Sequence, residues 1–182
     1  MIVELSNPVE PGRPALWIRA IENRMTPIIM RYVREMPGDG PADLIFASTG
    51  GSCSEGLRLY TALREVPRTI RATILRAQSM AAIVAMAADR IRIAKEGSFF
   101  LHPPGCRREI IADMVADAHV TSGNLRHLAD SLDTTDELHL DILHRRCGAD
   151  RETLRKLSDE NTTIGADMAL KLGLADEVIS WS

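Results

Sequence analysis

Alternating strand-like and helix-like segments predict an α/β fold, a mainly parallel sheet under helices. Three observations carry this. Asp43-Leu44-Ile45-Phe46-Ala47-Ser48 and Thr69-Ile70-Arg71-Ala72-Thr73-Ile74-Leu75 are short, mainly apolar runs, as buried strands are. Each leads into a helical pattern: Leu59, Tyr60, Leu63 and Val66 after the first, and the apolar run from Ala77 to Met86 after the second. No internal repeat, low-complexity tract or linker divides the 182 residues, so 1–182 is read as one domain.

The elements follow in order. After a proline-rich lead, Ala15 to Ile21 reads as a strand. Thr26-Pro27 offers a helix N-cap with proline at the first helical position, and that helix stops at Pro37-Gly38. The Asp43–Ser48 strand enters a glycine turn, and Ser52 with Glu55 supplies a capping box for a helix that Pro67 ends. The helix after Ser79 is apolar nearly all round and is expected to be buried. Arg90–Ala94 and Ser98–Leu101 read as two short strands about a Lys95-Glu96-Gly97 turn.

From Ile110 to Arg146, Met114, Ala118, Thr121, Leu125, Leu128, Leu132, Thr135, His139 and Ile142 recur at spacings of four and three. Unbroken, this stripe would be about 45 Å long. It reads either as two helices broken near Gly123, or a core helix, or as an arm that packs on another subunit. A short helix begins at Asp150, a last one covers Ala166 to Leu172 with Gly173 as terminator, and Glu177-Val178-Ile179 closes as a strand.

Composition limits the function. The 22 basic and 25 acidic residues give a net charge of −3 and no basic block, so nucleic acid and anionic lipid surfaces are not expected partners. No stretch approaches the ~18 apolar residues of a membrane span, and the start lacks a cationic, then apolar, leader pattern, so the cytoplasm is the expected location. Cys53, Cys106 and Cys147 are odd in number and widely spaced, which argues against a disulfide framework or a CxxC zinc site. Only Cys53, near the glycine pair, is placed to lie close to chemistry, and no metal or cofactor is expected.

Three pieces propose an acyl-transfer site. Ser79 opens a buried helix, whose dipole and first amide favour a developing oxyanion. His102 ends a strand and is held extended by Pro103. Gly50-Gly51, about 28 residues upstream of the serine, can aim bare backbone N–H groups at the same charge. Each alone has a bland alternative: a capping serine, a structural histidine, an ordinary turn. His119, His127, His139 and His144 show no metal-binding spacing and read as solvent or interface residues.

Taken together these residues resemble the ClpP-like serine peptidases, the proteolytic subunit of the Clp protease, built on the crotonase-like fold. Ser48-Thr49-Gly50-Gly51-Ser52 with Gly56 resembles that family's Ser-Pro-Gly-Gly segment. Ala77-Gln78-Ser79-Met80-Ala81 resembles its Ala-Ala-Ser-Met-Gly motif, and Phe100-Leu101-His102-Pro103-Pro104 its Met-Ile-His-Gln-Pro. The segment Ala166 to Asp176 resembles the family's C-terminal Gly-Leu-Val-Asp ending.

The resemblance implies repeated β-β-α units with a long protruding handle helix, here in 110–146. It implies Ser79 as nucleophile, His102 as general base, and the Gly51 and Met80 amides as oxyanion hole. Asn161 stands where the family has its catalytic aspartate, with Asp159 as the alternative third member. It further implies hydrolysis of peptides or unfolded proteins inside a homo-oligomeric ring, two rings meeting through the handles, with an ATP-driven unfoldase as partner. Two other readings stand beside it: a catalytically weakened scaffold or regulatory subunit, and a crotonase-type acyl-CoA enzyme.

Overall fold

In the computed structural model, which describes residues 3–6, 14–106, 108–116 and 119–181, the chain runs β1 (Val3–Ser6), β2 (Pro14–Ile18), α1 (Met25–Glu35), β3 (Ala42–Ser48), α2 (Cys53–Glu65), β4 (Ile70–Gln78), α3 (Met80–Ala85), β5 (Arg90–Phe100), α4 (Arg108–Ala116), α5 (Ser122–Cys147), α6 (Arg151–Asp159), β6 (Thr163–Gly165), α7 (Ala166–Leu172) and β7 (Glu177–Ile179). The strands form one mixed sheet in the order β1-β2-β3-β4-β5-β6, with β7 also on β5. Pairing is parallel from β2 through β5, and β1 and β6 run antiparallel at the edges.

β5 differs from the two short strands expected: it is one strand, interrupted by an irregularity. Ile74 pairs with Ile93 but Arg76 pairs with Ser98, so Ala94 to Gly97 stand opposite Leu75 alone. The expected turn residues therefore make a bulge, which bends a strand without ending it. Gly97 is needed there, because a Cβ would meet the Ile74 carbonyl oxygen at 2.5 Å. The bend also divides β5 between two partners, β7 on Arg92–Ala94 and β6 on Ser98–Phe100.

The core lies between the sheet and its helices. Every residue of α3 is buried, as its all-round apolar character predicts, and Ile29 and Val33 of α1 and Leu59 and Leu63 of α2 are buried at helical spacing. Each such side chain contributes about 1.5–3 kcal/mol by leaving water. Among the buried polar residues is Asp43, whose carboxylate takes both Nε and Nη2 of Arg71, its neighbour across the strand pair, with Arg92 at 3.8 Å.

Two local expectations shift by a residue or two. The α1 helix begins at Met25 after Arg24 in the left-handed conformation, so Thr26 and Pro27 fall within its first turn, where a proline's missing N–H costs nothing. Ser52 caps α2 as expected, accepting from the Glu55 amide. The Glu55 carboxylate, however, does not complete the box. It is buried and accepts from the Thr26 amide at 2.8 Å and from Arg58 at 3.0 Å, while the Ser52 amide donates to Ile21.

The long helical stretch divides into α4 and α5, and Thr121 opens α5 with a full capping box to Asn124. Gly123, expected near the break, lies inside the first turn of α5. Ala118 of the stripe lies outside the described residues. Over its 26 residues, α5 is buried only toward its C-terminal half, at His139, Leu140, Ile142 and Leu143. That half packs against α3 and α6, and Arg151 and Arg155 of α6 pair with Asp136, Glu137 and Asp141.

Candidate active site

Ser79 sits between β4 and α3 with φ 54° and ψ −129°, a region costly for a residue with a Cβ and one that clusters at functional sites. Its hydroxyl makes no capping bond to α3. That outcome sets aside the bland reading of Ser79 as an ordinary N-cap. Its amide donates to Phe100 O at 2.8 Å, tying the turn to the strand that leads into His102. Met80 is the first residue of α3, so its N–H has no partner within the helix.

The glycine turn packs on this elbow. Gly50 has φ 96°, and a Cβ there would meet Gln78 O at 2.7 Å and Ser79 Cβ at 2.8 Å. Gly51 has φ 146°, and its Cβ would fall 2.1 Å from Ile21 O. Ile21 pins the loop from both sides: its N–H donates to Gly50 O and its carbonyl accepts from Ser52 N, each at 2.8 Å. Only backbone without a side chain reaches the serine this closely.

Ser79, His102, Gly51 and Cys53 line one cavity of about 70 Å³, with α5 supplying Asp136, His139, Leu140 and Leu143 and α6 supplying Ser158. His102 Nδ1 lies 2.7 Å from Pro103 O. A carbonyl only accepts, so Nδ1 carries the hydrogen in this contact, and in the neutral ring the lone pair is then on Nε2. Cys53 meets the expectation of lying near the cavity, and burial pushes its thiol pKa up despite an opposing backbone hydrogen bond.

Neither of the two residues expected for the third position lines this cavity, although the carbonyl of Thr162, next to Asn161, accepts from Leu101 N at 3.1 Å. Asn161 is exposed in the left-handed conformation at φ 53°, and its Nδ2 donates to Asp159 O at 3.2 Å. Asp159 is the exposed last residue of α6.

His139 reverses its expectation as a solvent or interface residue. It is buried in the Ser79 cavity, and its pKa is pushed down to about 4, first by burial and then by the charge of nearby His102. The available signal was a polar residue between Thr135 and Ile142 on the stripe. Among the described residues no group of three or more His, Cys, Asp or Glu side chains is placed to hold a metal ion, and no helix is long and apolar enough to cross a membrane.

The sequence matches the family model of the Clp protease over residues 22–182. The chain belongs to the Clp protease family. The mixed α/β sheet fits that family's fold, and membership implies peptidase activity in general, with peptides as substrates. In this Clp family member a wider groove of about 800 Å³ adjoins the Ser79 cavity. The two share Gly51, Cys53, Pro104 and Gly105, and the groove runs between the start of α2 and the Leu128 to Thr135 face of α5.

Proposed function

We propose that this Clp family member is a serine-type endopeptidase, cofactor-free and cytoplasmic, with Ser79 as nucleophile and His102 as general base. The single observation that carries the reading is the strained, non-capping Ser79 in one cavity with His102 and Gly51. A peptide enters along the adjoining groove. His102 Nε2 takes the Ser79 proton as Oγ attacks the scissile carbonyl, and the Gly51 and Met80 amides receive the oxyanion. Collapse expels the amine, protonated by His102, and water then hydrolyses the acyl-Ser79 ester.

The third role falls to the Pro103 carbonyl, which holds Nδ1–H and fixes the tautomer. A neutral carbonyl stabilises the imidazolium less than a carboxylate does. We place the activity in a homo-oligomeric ring on the crotonase-like plan of repeated β-β-α units, with the whole chain as one domain. The 110–146 region serves as the handle between two rings, and an ATP-driven unfoldase feeds them. The exposed Ile111, Val115, Leu125 and Leu138 give that region an apolar surface to cover.

A fluorophosphonate probe tests the nucleophile. It is expected to label Ser79 in the parent and nothing in His102→Ala, with peptide hydrolysis lost in Ser79→Ala. An unlabelled but folded parent refutes the reading. Asn161, at the aspartate position with its Nδ2 donating to Asp159 O, supports a second reading, a weakened scaffold subunit. Hydrolysis that appears only in Asn161→Asp decides for it.

A further inference from the structure

The strongest unexplained group in the molecule is His139. Its Nε2 is fully buried and has no hydrogen-bond partner among the described residues. A buried polar atom left in that state costs about 1–3 kcal/mol, so it calls for a partner from outside the chain. No described residue meets the need; the carboxylate in the same cavity, Asp136, only accepts and already takes Arg155 at 2.9 Å. The cavity of about 70 Å³ has room for a few waters, each needing about 10–15 Å³ and two to four polar partners.

We propose that His139 is a positioning residue for the deacylation water, which it holds between its own Nε2 and that of His102 over the Ser79 ester. This rests on the acyl-Ser79 reading above. The water gives one hydrogen bond to His139 Nε2 and the other to His102 Nε2, leaving an oxygen lone pair free to attack. The water oxygen bonds to the acyl carbon as its proton passes to His102 Nε2. The carbon–Oγ bond then breaks, His102 returns the proton to Ser79 Oγ, and the peptide acid leaves.

The step requires His139 to be neutral with its proton on Nδ1, so that Nε2 accepts. Burial beside His102 keeps it neutral, and the buried C-terminal half of α5 holds its ring still. Acylation uses no water and so does not require His139. The two half-reactions therefore separate in the His139→Leu variant, which matches the size of the ring but offers no acceptor.

The experiment uses the full-length protein with a p-nitrophenyl ester. Stopped-flow burst kinetics, intact mass and the rate of Ser79 labelling by a fluorophosphonate are read together. For His139→Leu the expected result is labelling and burst within about twofold of the parent. The steady-state rate is expected to fall about tenfold, the worth of one hydrogen bond of about 1.4 kcal/mol, with acyl-enzyme accumulating in the mass spectrum. His139→Gln, whose amide oxygen can accept, is expected to recover most of the turnover. Equal loss of burst and steady state, or loss of neither, overturns the role of His139, as does a Gln variant no better than Leu. A parent with neither burst nor label fails earlier, at Ser79 itself.

Discussion

Replacing Gly51 by alanine tests whether the glycine turn is the oxyanion donor. The new Cβ would lie 2.1 Å from Ile21 O, 2.9 Å from its carbonyl carbon and 3.2 Å from its nitrogen, all backbone atoms. Ordinary contact begins near 3.4 Å, so the loop must retreat by more than an ångström. It cannot retreat freely, because two 2.8 Å hydrogen bonds hold it to Ile21. An oxyanion donor works only at about 2.7–3.1 Å, and losing one lowers kcat by about 10²–10³-fold, or about 3–4 kcal/mol. Stability should fall as well, by about 1–3 kcal/mol for the forced conformation. The assay is kcat on a fluorogenic peptide, with thermal melting as the check on folding. Gly38→Ala is the control: its φ is 75°, but nothing lies within 4 Å of its Cβ, so it should cost only about 1–2 kcal/mol of stability and no activity. A folded Gly51→Ala with kcat within about threefold of the parent would refute the assignment of this amide.

The remaining predictions concern the third position, the core and acid stability. Asn161→Ala should change kcat by less than about threefold, because the Asn161 amide bonds Asp159 O and not His102; a fall above about tenfold in peptide turnover would return the role to Asn161. Asp43→Ala should destabilise by about 3–5 kcal/mol in chemical denaturation, since it leaves Arg71 and Arg92 facing a buried gap, and a loss below about 1 kcal/mol would contradict that pairing. His139, neutral when folded down to about pH 4, binds its proton in the unfolded chain from about pH 6.5. Stability should therefore decline as pH falls through that window, by up to about 3 kcal/mol. The decline should flatten in His139→Gln, and urea midpoints from pH 7 to 4 measure it.

Much of the fold could be read along the chain because the elements that matter are punctuated. Pro37-Gly38, Pro67 and Gly173 end helices where they should, and Asp150 opens α6 by accepting from the Thr153 amide. What escaped were features that depend on a distant partner. β6 is three residues long and is a strand only because Ser98 to Phe100 lie beside it. The bulge in β5 looks like a turn until β4 is seen bridging it. The site divides the same way. Ser79, His102 and Gly51 belong to local patterns of strand end and turn, whereas His139 reaches the cavity through the packing of α5 on α3, which no local spacing reveals.

The backbone bond from Ser79 to Phe100 makes the sheet a ruler for the pair proposed as nucleophile and base. Gln78 and Phe100 are the last partners of the β4–β5 ladder, so the serine leaves it one residue later and the histidine two. Their main-chain separation is thus fixed by strand spacing and is complete once these two strands register. The backbones of the proposed nucleophile and base therefore come with the central sheet. The loop from Pro103 to Gly105 and the α5 wall of the cavity lie outside that ladder, so their positions are set by helix packing and not by strand spacing.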